Sequence, residues 1–264
     1  MVSMLDKFFK VQKRKRLMFF LVIMVITAVS VVITEYDAGK GFMGFYKALK
    51  WAFANFYPDA QALSKMTAIM IKLRETFLMS VAATTTAAIL ASLFALLGST
   101  TTQINNFLSK ISRAFASVLR NIPLVAWAMV LLFTFGQSSL TGFLALFFAT
   151  FGFLVRAFME TFDEVSASAV EALRASGASY GQIVFQAVFP ASLPQMLSWV
   201  LYMIETNIRD ATLLGILTGT GIGFSFNLYF RSMNYHAASL VVIVIVFTVF
   251  LIEYLSNYVR REIL

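Results

Sequence analysis

EALRASGASYGQIVFQAVFP, residues 171–190, carries a glutamate, an arginine and two glycines, yet it lies among stretches apolar enough to cross a bilayer. A membrane-spanning helix needs about 20 mostly apolar residues to cross a hydrocarbon core about 30 Å thick. Working outward from the segment, such runs occupy 181–204 and 232–252 on one side, and 137–155, 76–98 and 17–34 on the other. A sixth, 121–137, starts just after Arg120 and contains Pro123. Only 13% of the residues are charged and 59% are hydrophobic, whereas soluble domains carry about 25% charged residues. Open sheet edges find no partners in lipid, while a helix satisfies its own backbone. The expected fold class is an all-α membrane protein of about six transmembrane helices.

Several kinds of chemistry are disfavoured at once. With no cysteine there are no disulfides and no thiol catalysis. The single histidine, His236, has no second histidine at a ligand spacing, so no metal site is expected. A net charge of +8 points to anionic headgroups and to topology. Nucleic acid would need a basic face on a soluble domain, and none is expected as a partner.

Lys7, Lys10, Lys13, Arg14, Lys15 and Arg16 precede the first apolar run. Positive flanks stay cytoplasmic, so the N-terminus is expected inside, and six crossings return Arg260, Arg261 and the C-terminus to that side. A cleaved signal peptide, suggested by Ala28-Val29-Ser30, is the competing reading. The run 17–34 exceeds the roughly 7–15 apolar residues of such signals, which favours a retained anchor. The inside loops are then 99–113, with Lys110 and Arg113, and 156–182, with Arg156 and Arg174. The outside loop 35–75 runs against the charge rule with six Lys or Arg. Within it, 42–57 places Phe45, Leu49, Ala52 and Phe56 at helical spacing and reads as an interfacial amphipathic helix. The uncharged stretch 211–230 counts either as a seventh span or, given Gly215, Gly219, Gly221 and Gly223, as a broken, re-entrant path beside a pore. One domain, 1–264, is expected, with an anchor and external segment over 1–75 and a core over 76–264.

The opening segment now has a place and a shape. Residues 165–176 are good helix formers, and Gly177 can end that helix with a left-handed cap. A second helix is expected from Ser179 towards the membrane, kinked or broken at Pro190 and Pro194. This resembles the cytoplasmic loop of bacterial ABC-importer permeases, which has the form E-A-A, three residues, G, nine residues, I, one residue, L-P. Here Glu171-Ala172-Leu173 precedes Gly177 by that spacing, and nine further residues lead to Ala187, then Phe189-Pro190. Leu173, Ala187 and Phe189 depart from the letters but stay apolar. RETFLMS (74–80), LRNIPLVAWAMVL (119–131) and ETNIRDATLLGILTGTGIG (205–223) are similar to the phosphonate-type branch of that family.

The resemblance implies a type I importer permease in the bacterial cytoplasmic (inner) membrane, with a coupling loop over about 160–190. Glu171, Ala172, Leu173, Gly177 and Pro190 would meet a dimer of ABC ATPase subunits, which would bind the ATP and Mg. An extracytoplasmic binding protein would deliver the solute, and a second copy of the permease would complete the pore. No G-x-x-x-x-G-K-[ST] occurs, so the chain itself is expected to bind no cofactor and to catalyse nothing. The expected solute is a phosphonate, phosphite or related phosphorus oxyanion; an amino acid such as methionine is the alternative. A secondary transporter or channel would explain the helices without needing 165–185, and a membrane enzyme would need a convergent polar site that is not apparent.

Glu205, Arg209 and Asp210 fall at the outer end of, or inside, the fifth run, where a lipid-facing charge costs roughly 2.5–3.5 kcal/mol. Glu205 and Arg209 are i,i+4 and able to pair. They are either a structural ion pair or, with Asn207, Gly219, Gly221 and Gly223, part of the translocation path or gate. Arg120 either snorkels to the inner interface or contacts the coupling loop or inner gate.

Overall fold

The computed structural model describes residues 2–165 and 167–263, without the side chains of 2–11, 38, 165, 167 and 263. The side chains of Lys7 and Lys10 in the basic flank, and the whole of Ser166 in the loop, thus lie outside the described residues. Among the described residues the elements are helices, in two compact units, Met1–Phe56 and Tyr57–Leu264.

In the first unit, α1 (Val2–Ile33) contains the apolar run and its basic flank, and α2 (Ala38–Asn55) is the helix expected near 42–57. Asp37 caps α2 by accepting a hydrogen bond from Lys40 N at 3.0 Å, which satisfies one of the unpaired first-turn amides.

The second unit is built on α4 (Met66–Gly98), α5 (Asn106–Asn121), α6 (Leu124–Phe135), α7 (Ser139–Val165), α10 (Phe189–Thr218) and α12 (Tyr235–Ile263). Between these lie the short α3 (Ala60–Leu63), α8 (Ala167–Ala175), α9 (Tyr180–Ile183) and α11 (Gly221–Arg231). Helix α4 packs on α7 through a stripe of small buried residues, Ala83, Ala87, Ala91, Ala95 and Gly98, while Thr76 and Ser80 of the same helix meet α11 and α10. Lipid is as apolar as leucine, so membrane helices gain by close contact of small residues rather than by hiding large ones. The large side chains meet that stripe from α7, where Leu154, Val155, Phe158 and Phe162 are fully buried. His236 holds the start of α12 to the Tyr57 carbonyl, with Nδ1 2.6 Å from the oxygen.

Five helices of the described chain are long and apolar enough to span, and a sixth crossing exists if α5 and α6 count as one. The expected crossing 121–137 is corrected here: α6 has only 12 residues and meets α5 at 89°. Pro123 lacks an amide hydrogen and pushes Ile122 into an extended conformation (ψ 119), so the chain turns instead of continuing. The fifth crossing is longer than 181–204. It runs from Tyr180 to Thr218, taking in the first part of the 211–230 stretch, while the second part is α11. The break between them is Gly219-Thr220, with Gly219 left-handed at φ +72.

Pro190 and Pro194 do not break the long helix. A π-helical turn, Val184–Val188, precedes Pro190 and widens the backbone there, with Phe189 N bonding to Val184 O. A five-residue ring makes room for a proline that would clash with an α-helical carbonyl. Pro194 falls one turn later, where the carbonyl it leaves unbonded is that of Pro190.

Candidate functional site

The segment that opens with Glu171 forms a helix, a tight corner and a second helix. Helix α8 ends in a paired cap: Ala178 N donates to Leu173 O at 3.0 Å and Gly177 N to Arg174 O at 3.1 Å. This pattern requires a left-handed residue, and Gly177 supplies it at φ +79. Leu173 and Ala178, on either side of the cap, both pack on the main core. Past the corner, Gln182 Oε1 accepts from Ser179 N at 2.8 Å and from Ser179 Oγ at 2.9 Å, which starts α9.

Only one flank of α8 is anchored. Val170 is fully buried and Leu173 half-buried, whereas Glu171, Ala172, Arg174, Ala175 and Gly177 are exposed. A band of small residues beside one carboxylate is left free for another surface. Pro190, one π turn and a corner away, is exposed too, so it shapes the support of α8 rather than sharing its face.

The same region is stapled to the rest of the unit by Asp163, Ser99 and Thr101, which the sequence did not single out, and by Arg174, which it read only as a loop charge. Asp163 Oδ1 accepts from Ser99 Oγ at 2.6 Å and from Thr101 N at 3.0 Å. Arg174 Nη2 donates to Thr101 O at 2.7 Å. The α4–α5 turn is held in its own right: Gly98 O accepts from Ser109 Oγ at 3.0 Å and from Arg113 Nε at 2.7 Å. A push on α8 therefore has hydrogen-bonded routes to α4, α5 and α7 as well as the covalent one into α10.

Within α10 the predicted polar residues separate into two groups. Glu205 and Arg209 meet, Nη2 to Oε1 at 2.7 Å. Glu205 is only 8% exposed, and its other oxygen lies 3.3 Å from Arg260 Nη2. Arg260, from the far end of α12, offsets the carboxylate excess of Glu205 and Asp210 over Arg209. The three α10 charges lie inside the long helix rather than at its end, because that helix continues to Thr218. Arg209 keeps about half its side chain exposed.

Asn207 points elsewhere. Its Nδ2 donates to Thr84 Oγ1 and to Thr150 Oγ1, both at 2.8 Å, while Ser80 Oγ donates to Asn207 O at 3.1 Å. One 2% exposed residue thus cross-links α4, α7 and α10. The partners were legible only as hydroxyls spaced four apart in α4 (Thr76, Ser80, Thr84), a pattern whose facing helix the sequence does not name.

The glycines lie where α10 hands over to α11. Gly219 caps α10, and Gly221 (φ +61) lies against Thr76 Oγ1, whose oxygen accepts from Ile222 N at 2.8 Å. Gly223 is in the tightest position: a Cβ there would overlap the Thr212 carbonyl of α10. Gly221 and Gly223 are buried and Gly219 half-buried, so they shape a helix contact.

Known proteins match this arrangement. The phosphate-import permease protein PhnE of Mycolicibacterium smegmatis is 32% identical over 152 residues, covering 58% of this chain and 29% of the relative. The phosphite transport system permease protein PtxC of Stutzerimonas stutzeri is 29% identical over 188 residues, covering 71% and 68%. The chain thus spans under a third of the first relative and about two thirds of the second. The fold matches an inward-facing structure of the MetNI methionine ABC transporter with a TM-score of 0.67 at 20% identity, over 76% of this chain and 98% of that one. It also matches an amino acid ABC transporter solved with histidines (TM-score 0.61, 15% identity, 77% and 98% covered). The model of one family, the binding-protein-dependent transport system inner membrane component, fits residues 87–261, from the middle of α4 to the last turn of α12. On that match and that fold, the chain belongs to the binding-protein-dependent transport system inner membrane components, the multi-pass permeases of ABC importers.

Proposed function

We propose that this chain is the permease subunit of an importer for a phosphonate, phosphite or related phosphorus oxyanion, driven through α8 by a separate ABC ATPase dimer. The observation that carries the coupling role is the exposed small-residue face of α8 around Glu171 and Ala172, held rigid by the Gly177 cap and the Asp163 and Arg174 bonds. A helix of small side chains admits a close partner surface, and a fixed corner passes displacement on instead of absorbing it. ATP, with Mg, binds in the ATPase. Its dimer closure moves α8, and the bonds to Thr101 and Ser99 carry that motion to α4, α5 and α7. The bundle then alternates between two packings, as closely packed helices do. The names of the relatives, phosphate import and phosphite transport, support the solute class.

In this reading the α8 end faces the cytoplasm of a bacterium, both termini lie on that side, and the opposite end receives solute from an extracytoplasmic binding protein. A second permease copy completes the path, and lipid surrounds the pair. Residues 1–264 act as one permease, the first unit anchoring it. Arg209, the exposed member of the Glu205 pair, is the α10 side chain best placed to face the path, whereas Asn207 and the three glycines set the helix packing that shapes it.

The test is co-purification with the cognate ATPase and binding protein, followed by a ligand screen on the binding protein. A stable complex and a phosphorus oxyanion ligand are expected. If Gly177→Pro leaves both ATPase association and uptake unchanged, the coupling role is wrong; a ligand without phosphorus removes the solute class.

A further inference from the structure

We propose that the cleft between α5 and α7 is a binding site for a phosphoryl-type oxyanion, held by Arg113, Arg120 and Arg156. The cleft has a volume of about 220 Å³, and these three arginines line it with Ser117 and Asn121. On α5, positions 113, 117, 120 and 121 follow i, i+4, i+7 and i+8, so they share one face. The adjoining face of α5 is buried through Ser109, Ser112, Ala116 and Leu119, and Ala116 also lines the cleft with Met159 of α7. Gly152 brings α7 against the end of α5: a Cβ there would lie 2.6 Å from the Arg120 amide nitrogen. Arg156 is one turn further along α7, and so the third guanidinium joins the other two.

The charge in the cleft is unbalanced. Arg156 Nε donates to Glu160 at 2.6 Å. Arg113 donates through Nε to Gly98 O, and among the described residues its terminal amino groups have no hydrogen-bond partner. Arg120 lies over the Phe153 ring at 5.8 Å. Among the described residues, neither Arg113 nor Arg120 has a carboxylate at ion-pair distance. Guanidinium groups do not lose their proton in proteins and are costly within a bilayer unless they face water or a counter-charge. Three of them around one cleft suit an anion with several oxygens, which their planar forks bind in pairs of bonds. Arg113 sits directly on the α4–α5 turn, which Asp163 ties to α7 and Arg174 ties to α8, so occupancy of the cleft and movement of α8 share a support.

That the bound oxyanion is the transported solute rests on the proposed function; the binding itself does not. The experiment uses the full chain in phosphate-free maltoside micelles, titrated calorimetrically with inorganic phosphate, with phosphite and, in a separate arm, with phosphatidylglycerol. Chloride at matched ionic strength is the control. Binding of phosphate or phosphite is expected, weakened at least about tenfold by Arg120→Gln and by Arg156→Gln. Glu160→Gln, which frees Arg156, is expected to tighten it, an effect that general destabilisation would not produce. If only phosphatidylglycerol binds, with the same arginine dependence, the oxyanion is a lipid headgroup; the chemistry stands and the source is lipid. Equal binding by the Arg120→Gln/Arg156→Gln double variant, or by chloride, overturns the proposal. Arg156 is about half exposed and pairs within its own helix, so Arg156→Gln remains informative if Arg120→Gln misfolds. No ATPase or binding protein is present, so failure here leaves the importer reading intact, and loss of ATPase association leaves this one intact.

Discussion

Asn207 and Arg209 are two residues apart on α10 and have opposite surroundings. Asn207 is enclosed by three helices through Thr84, Thr150 and Ser80, while Arg209 shares a half-exposed ion pair with a glutamate that has a second cation. Side-chain hydrogen bonds between membrane helices contribute about 0.6 kcal/mol each, up to roughly 1.7. Asn207→Ala is therefore expected to lower stability by about 1–2 kcal/mol, seen as an earlier unfolding transition of the purified chain. Arg209→Ala leaves Glu205 paired with Arg260, and its stability is expected to stay within about 1 kcal/mol of wild type. A path role for Arg209 predicts that uptake falls steeply all the same, with ATPase association retained; uptake near wild type would sink that role. The sequence showed that Glu205 and Arg209 are able to pair, because i,i+4 spacing is local. It was silent on Arg260, 55 positions away, because nothing local records which helices lie side by side.

Two elements depend on what a single glycine permits. Gly177 adopts φ +79 with open space beyond its Cα, so the penalty for Gly177→Ala is conformational and about 1 kcal/mol. The variant is expected to fold but to fray the end of α8, read as faster amide exchange at residues 176–178 and weaker ATPase association. Gly223 differs in kind: the clash would be with the carbonyl of Thr212, backbone against backbone. Gly223→Ala must push α11 away from α10, and a loss of about 1–3 kcal/mol is expected in the unfolding transition. The corner at Gly177 was legible in advance, because a glycine after a run of helix formers is a stop signal whatever surrounds it. The length of α10 was not. Its polar residues read as either the end or the inside of a span because their partners on α4, α7 and α12 were invisible, and Pro190 read as a kink or a break because a π turn leaves no mark in residue identity.

For the whole molecule, the division at Phe56 and Tyr57 carries a prediction. The family match begins at residue 87, and the second unit has hydrophobic clusters of its own, built around residues such as Phe158, Leu146 and Ile222. A chain lacking residues 1–56 is expected to keep the helical circular dichroism of the second unit and to retain ATPase association. Loss of association on truncation would place part of the coupling in the first unit.

Composition and apolar run length were sufficient for an all-helical membrane protein, because lipid admits only helices or closed barrels and uncharged runs of about 20 residues match a helix rather than a barrel strand. The sequence from 165 to 183 was sufficient for a helix, a glycine corner and a second helix, because these follow from neighbouring residues alone. Tertiary structure decided everything that depends on which helices meet. It turned the third crossing by 89°, extended the fifth to Thr218, gave Glu205 its second cation and drew three arginines from two helices into one cleft. Contacts between distant segments are chosen by complementary packing of entire faces, and no single stretch of sequence holds both sides of such a contact.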